Sequence, residues 1–369
     1  VPSVITGAEI RTCLGDTSTT HKALVDGVSG VSPLRFHDTA RLNVSHAYQI
    51  DDGETERSGR PAAWLTECVA EAARRAGLDA TTRRVTAIVG TGLRELRAVE
   101  RTTADGVPTT PADLHFEAAV RAALPGVRDV ITVSNACSAS GHALAIAQDL
   151  LAADEADAVV VAGCDGTTES MLTMIGRVAD APTTAVRPFD RDRTGVLLGE
   201  GAAAVVVEHA GDGPTLLGVG LSCDAFHETA PDPGGIVAAM RDAHARAGVT
   251  PADIGLVMAH GTGTALNDPV EATALAEVFG PARPLVTGVK GGIGHTSGAS
   301  ALMSLVLAVE AVREGRVPPV VGLTTPIAEA AGLDLIVGRP APVSGRVVVQ
   351  VDAFGFGGVN AVAVVEVAP

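Results

Sequence analysis

Residues 131–153 read ITVSNACSASGHALAIAQDLLAA, and the fold class turns on them. A β-branched strand ends at Ser134, small residues make a turn, and an apolar helix follows Cys137. Such a turn puts the thiol at a helix N-terminus, where the macrodipole favours the thiolate. It also points a backbone N–H at a carbonyl under attack. Ala143, Leu144, Ile146, Ala147, Leu150 and Leu151 make the helix apolar nearly all round, so it belongs in a core with its reactive end in a pocket. A lone cysteine is more often a small buried residue than a nucleophile. The case for Cys137 therefore depends on what the rest of the chain brings to it.

The same strand-then-helix alternation runs outward in both directions and predicts an α/β protein. Strands are expected at 3–7, 84–90, 129–134, 157–163, 202–208, 254–259, 285–289, 347–352 and 360–367, and helices at 61–76, 138–153, 236–248, 269–279 and 299–314. Residues 101–113 (RTTADGVPTTPAD) read as a polar loop, and 178–196 as a long ordered one of the kind that serves function. The chain also echoes itself. Ser140-Gly141 in the first stretch matches Ser297-Gly298 in TGVKGGIGHTSGASALMSLVLA, and GAAAVVVE (201–208) matches NAVAVVEV (360–367) at nearly the same spacing. Two related halves, or chance likeness among Ala/Val/Gly-rich segments, would both produce this echo.

Composition narrows the function. The 369 residues are 46% hydrophobic but hold only seven Phe, Trp64 and Tyr48 as aromatics, so aliphatic side chains, Ala and Gly must fill the core. A net charge of −16 argues against nucleic acid or an anionic membrane as partner. An acidic carrier protein would need a local basic patch, for which Arg74, Arg75, Arg83, Arg84, Arg97 and Arg101 are candidates; scattered, solvated arginines are the plainer account. Cys13, Cys68, Cys137, Cys164 and Cys223 are odd in number, widely spaced and free of any CxxC, so reduced, mostly buried thiols in a cytoplasmic protein are expected. VPSVITGAEIRTCLGD shows no signal-peptide pattern, and no apolar run approaches the roughly 20 residues of a membrane helix.

Two histidine segments supply what Cys137 lacks. HGTGTALNDPVEATAL (260–275) puts His260 at a strand end before a Gly/Thr turn, with Asp268 a candidate N-cap and Pro269 in the first turn of the next helix. VKGGIGHTSGAS (289–300) carries Lys290 and His295 on a glycine-rich loop ahead of another small-residue helix. No Walker spacing accompanies the glycines, and no HxxxH or CxxC points to zinc. At the end, VDAFGFGGVNAVAVVEV (351–367) reads as a hairpin whose two phenylalanines sit among glycines, either a placed gate or an ordinary turn.

Together these segments resemble the β-ketoacyl-acyl-carrier-protein synthases, the decarboxylative condensing enzymes of the thiolase fold. NACSAS, RPFDRDRTGVLLGEGAAAVVVE, CDAFHETAPDP, HGTGTALNDPVEATAL, KGGIGHTSGAS, REGRVPPVVGLTTP and FGFGGVNA occur in the family's order over residues 129–367, whereas residues 1–128 match weakly and are short for the family. The resemblance implies two related βαβαβ halves, 1–209 with the nucleophile and 210–369 with the histidines and lysine. These would form a layered α-β-α-β-α core with pseudo-twofold symmetry. Arg193-Thr194-Gly195 departs from the usual Arg-Asp-Gly, and Ser300-Ala301 from Ala and Gly, as in a specialised member.

The resemblance also assigns roles. Cys137 takes an acyl group from the phosphopantetheine of an acyl carrier protein. His260 and His295, as neutral donors, stabilise the enolate left when a malonyl-type unit loses carbon dioxide. Lys290 orients the pair with Glu271, and the N–H groups of Cys137 and Phe356 form the oxyanion hole. Phe356 gates the acyl pocket near Phe354, with Phe226 and His227 on a facing loop. No tightly bound cofactor, metal, nucleic acid or membrane is implied. A homodimer is, or a heterodimer with a paralogous subunit. An acyltransferase that omits decarboxylation is the alternative chemistry, and a scaffold subunit the non-enzymatic one. No cysteine follows Cys223, unlike a thiolase; the Lys290–His295 loop is unlike a Cys-His-Asn enzyme; and the retained Cys137 is unlike a chain-length factor.

Overall fold

The computed structural model describes residues 2–35, 39, 42–53, 58–178 and 182–369. Strands β1 (Ser3–Thr12), β2 (Val85–Thr91), β3 (Asp129–Ser134), β4 (Ala158–Asp165) and β5 (Gly201–Glu208) come first in the chain. Strands β6 (Thr215–Cys223), β7 (Ile254–Met258), β8 (Leu285–Thr287), β9 (Val347–Gly355) and β10 (Val359–Val367) repeat them. The first set lies in the order β1-β5-β4-β2-β3 and the second in the order β6-β10-β9-β7-β8. Orientations repeat as well. β2 is parallel to β3 and β4, with β5 and β1 antiparallel beyond. β7 is parallel to β8 and β9, with β10 and β6 antiparallel beyond. The echo in the sequence is thus a duplicated sheet, not chance likeness. Among the described residues, strand pairing joins the two sets at Ser3↔Leu216 and Val4↔Thr215 of β1 and β6.

Five helices complete the layers: α1 (Arg60–Ala76), α2 (Ala139–Ala152), α3 (Pro233–Ala247), α4 (Asn267–Phe279) and α5 (Ser300–Arg313). Period-two alternation decides which layer each strand residue joins. In β4, Ala158, Val160, Ala162 and Cys164 pack outward with Trp64, Leu65 and Val69 of α1. Val159 and Val161 pack inward with Leu144 and Ala147 of α2 and Leu302 and Leu305 of α5. From the second sheet, Val349 and Val351 join that same inner cluster, whereas Phe354 packs outward with Met240 of α3 and Leu275 of α4. The arrangement is α-β-α-β-α, with α2 and α5 back to back in the middle. The central strands of both sheets are covered on both faces, which is why they read as continuous apolar runs. Each fully buried Leu or Val side chain contributes about 1.5–3 kcal/mol, and the inner layer holds the largest set of them.

Two expectations need correction. The segment 101–113 is not all loop, because a helix spans Leu96–Asp105 and ends on Gly106 at φ 69°. The strand Thr215–Cys223 was not expected at all. Gly218 and Gly220 interrupt its apolar run, and a Cβ on Gly220 would lie 2.2 Å from the backbone N of Ala243, so glycine is what lets α3 lie on the strand. Part of the long loop at 178–196, residues 179–181, falls outside the described residues. Beyond it Asp190, fully buried, accepts hydrogen bonds from the Thr324 and Thr325 N–H groups at 2.6 and 2.9 Å and orders the loop.

Candidate active site

The site lies where the halves meet at the carboxyl ends of the central strands, as crevices of α/β sheets commonly do. After β3, Ala136–Ser138 form a short 3-10 turn that leads into α2. Ala136 has φ 49°, a left-handed conformation that costs a residue with a Cβ about 1 kcal/mol or more. The strain is held one residue before the thiol. On the other side, Gly298 seats the histidine loop against the end of β2: a Cβ there would lie 2.4 Å from the backbone of Thr91 and Gly92.

Cys137 Sγ lies 3.0 Å from His295 Nε2. The His260 ring stands edge-on to the His295 ring, centroids 5.4 Å apart, and tilts over Phe354 at 5.5 Å. Lys290 Nζ lies 3.3 Å from His260 Nδ1 and also donates to the His260 carbonyl. An ammonium has only donors, so His260 Nδ1 accepts and the ring's proton sits on Nε2. No such lock acts on His295, whose Nδ1 has no hydrogen-bond partner among the described residues. Glu271 does not bond Lys290. It caps the loop instead, accepting from the N–H groups of His260 (2.6 Å) and Gly261 (2.8 Å) and from Asn267 Nδ2 (2.9 Å).

Asp268 corrects the sequence reading, because α4 begins at Asn267 and Asp268 lies inside its first turn. Its carboxylate receives the N–H groups of Phe189 (2.7 Å), Thr262 (3.1 Å) and Gly263 (3.1 Å), and so pins the turn after His260.

Electrostatics also amend the expectation for the thiol. Burial pushes Cys137 up to about 11, although the Lys290 charge and the N–H groups of Phe356 and Cys137 pull the other way. The helix end therefore does not yield a resting thiolate; a base is needed, and His295 is in place to be one. Burial and the Lys290 charge hold both histidines well below 6.5, so both are neutral at pH 7. Burial likewise draws Lys290 down, to about 8.

The gate candidates divide. Phe354 is buried beneath His260, while Phe356 and Phe226 are exposed at the surface. His227 Nδ1 accepts from Thr229 and Ala230 N–H at 3.1 Å each, closing its own turn. That loop is tied to the hairpin tip by Asp224 N–H to Gly358 O (3.1 Å) and Gly357 N–H to Glu228 O (2.9 Å). Phe226 and His227 thus stand beside Phe356, not against the thiol.

The arginines offered for docking are each spoken for. Arg74 pairs with Glu71, Arg75 with Glu71 and Glu9, Arg83 with Glu208, Arg84 with Asp154 and Asp157, Arg97 with Glu100, and Arg101 with Asp105.

Sequence reasoning overlooked Asp165. Its buried carboxylate accepts from Thr91 Oγ1 (2.7 Å), the N–H groups of Gly92 (2.9 Å) and Leu93 (2.9 Å), and, from the other half, Gly298 N–H (2.7 Å). The signal was there: an acid closing the otherwise apolar strand AVVVAGCD.

The family model described as "Beta-ketoacyl synthase, N-terminal domain" matches residues 2–212, and "Beta-ketoacyl synthase, C-terminal domain" matches residues 214–324. The match therefore reaches well ahead of residue 129, where the motifs begin. The chain is 31% identical to a 3-oxoacyl-[acyl-carrier-protein] synthase 2 of Mycobacterium tuberculosis, over 97% of this chain and 95% of that one. It is 33% identical to nodulation protein E of Rhizobium meliloti, over 97% of each. Among solved structures, the ishigamide ketosynthase/chain length factor superposes with a TM-score of 0.88 at 28% identity, covering 100% of this chain and 99% of that one.

Proposed function

The chain belongs to the beta-ketoacyl synthase family, acyltransferases of the thiolase fold, and from that premise we propose how its site performs a decarboxylative condensation. Cys137 gives its proton to His295 Nε2 and attacks the thioester of an acyl group on the phosphopantetheine of an acyl carrier protein. The carrier thiolate leaves and takes that proton. A malonyl-type thioester then enters and its carboxylate departs as carbon dioxide, leaving an enolate. His260 donates to the enolate oxygen from Nε2, and His295, its ring proton shifted from Nδ1 to Nε2 after the acyl transfer, donates beside it. The enolate carbon attacks the Cys137 thioester, whose oxyanion receives the N–H groups of Cys137 and Phe356. Collapse expels the Cys137 thiolate, which takes up one proton, and releases a β-ketoacyl carrier. Lys290 and Glu271 hold His260 in position, while Phe356, with Phe354 beneath it and Phe226 and His227 beside it, guards the entrance.

One observation carries this reading. Among the described residues, the side chain hydrogen-bonded to the Cys137 sulfur is an unlocked imidazole, 3.0 Å away, and the neighbouring imidazole is locked by a lysine into a donor. We further take the enzyme to be a cytoplasmic dimer, of two copies or with a paralogous subunit, dividing into halves 1–209 and 210–369. The unpaired edge strand β3 and five unbridged cysteines support that view.

The test is intact-protein mass spectrometry with acyl carrier and malonyl carrier. The expected outcome is an acyl adduct on Cys137, then a product two carbons longer with release of carbon dioxide. An adduct discharged to an amine, alcohol or thiol without carbon dioxide would overturn the condensation in favour of simple acyl transfer.

A further inference from the structure

Strand β9, VVVQVDAFG, interrupts its apolar run with two side chains that are almost wholly buried, Gln350 and Asp352. Val349 and Val351 face the inner layer, so Gln350, Asp352 and Phe354 form a row on the opposite face, toward α3 and α4. Phe354 already meets His260. Val351 pairs with Met258 of β7, which puts Asp352 beside the chain as it runs into His260.

The row is tethered from outside. His244 of α3, itself buried, lies 2.7 Å from Gln350 Oε1 through Nε2, and Gln350 Nε2 donates to Asp352 Oδ1 at 2.8 Å. Because the glutamine nitrogen must donate to the acid, its oxygen accepts, and the proton of His244 is placed on Nε2. Asp352 Oδ2 has no hydrogen-bond partner among the described residues.

Lys290 is 1% exposed, and an ammonium so buried needs a counter-charge. The titratable groups around it are Glu271 and Asp268 from α4, Cys137, Asp352 and the two imidazoles, His260 and His295, which are neutral and offer no counter-charge. Glu271 is taken up by three N–H donors, and Asp268 by the amides of Phe189, Thr262 and Gly263. Asp352 Oδ2 is the oxygen left over. Lys290 has a counterpart to spare: two of its three donors go to His260, and none of its described hydrogen bonds uses the third.

We propose that Asp352 is a positioning residue, held by Gln350 and His244, that sets the pH range over which Lys290 keeps the charge fixing His260 as a donor. This rests on the role given to Lys290 under Proposed function. Burial and the neighbouring Glu271 raise Asp352 well above the carboxylate range while burial lowers Lys290, so the two compete for one proton. The Asp352 anion favours the Lys290 cation. Without it, Lys290 loses its proton at lower pH, and activity that needs the cation falls off sooner on the alkaline side.

Malonyl-carrier decarboxylation is measured against pH for the parent, Asp352→Asn, Gln350→Met and Lys290→Met. Asp352→Asn, nearly isosteric, is expected to move the alkaline limb down by about one pH unit. Gln350→Met, which keeps the carboxyl but frees it, moves the limb the same way by less. It decides the matter should the asparagine variant not fold. Loss of decarboxylation in Lys290→Met at every pH, with a limb unmoved in the folded variants, overturns the role of Asp352 alone. Parental activity in Lys290→Met overturns the reading of the site, and the inference falls with it.

Discussion

At the scale of single residues, the two histidines differ in what holds them. His260 is clamped by Lys290 into one tautomer, whereas His295 is free at Nδ1 and reaches the sulfur at 3.0 Å. With the thiol pushed up to about 11, the base determines reactivity at neutral pH. His295→Ala is therefore expected to slow acylation or iodoacetamide alkylation of Cys137 by about 100-fold at pH 7. The deficit should shrink steadily as pH rises toward the thiol's own range. Timed intact-mass spectra across pH would check this; a constant deficit would remove His295 as the base. Cys137, His260, Lys290 and His295 were legible in the sequence because each sits at the end of an element among small residues. Asp165 and Asp352 were not. Each is embedded in an apolar strand, and only the packed structure shows which partners surround it. The protonation of Cys137 was misread for the same reason: a helix end is visible in sequence, but the extent of desolvation is not.

At the scale of elements, β6 shows where local propensity fails. TLLGVGLSC looks weak as a strand because glycine loses more freedom on folding than other residues. Propensity alone would have Gly220→Val strengthen it. The fold predicts the reverse, since any Cβ there runs into the backbone of α3. The substitution should destabilise the protein by about 3 kcal/mol and lower its melting temperature, measured by calorimetry. A variant melting at or above the parent would show that α3 can shift away. The helix Leu96–Asp105 was hidden for a related reason. It buries little beyond Ala98, so no apolar stripe marks it. Elements buried on both faces, such as β4 and α5, were by contrast plain to read.

At the scale of the whole molecule, the sheet ends unequally. Beyond β8 the edge is a two-residue strand, Asp334–Leu335, too short to recruit a partner. At the other end β3 offers a six-residue outer edge that pairs with no strand among the described residues, and an exposed Ile131. Exposed flat edges of that kind invite pairing unless covered. Ile131→Lys is expected to convert a dimer to monomer in light scattering, and a particle mass unchanged by the lysine would put the subunit contact elsewhere. The duplicated topology has one more consequence, which concerns how the protein is made. Cys137 leaves the ribosome with the first half, but the imidazoles and the Phe356 amide belong to strands and loops threaded in much later. Until the final hairpin closes beside β6, the nascent thiol has neither the His295 imidazole nor the Phe356 amide beside it. The cell's thioesters then meet only an ordinary solvated thiol, and the assembled site exists only after both repeats have been made and packed together.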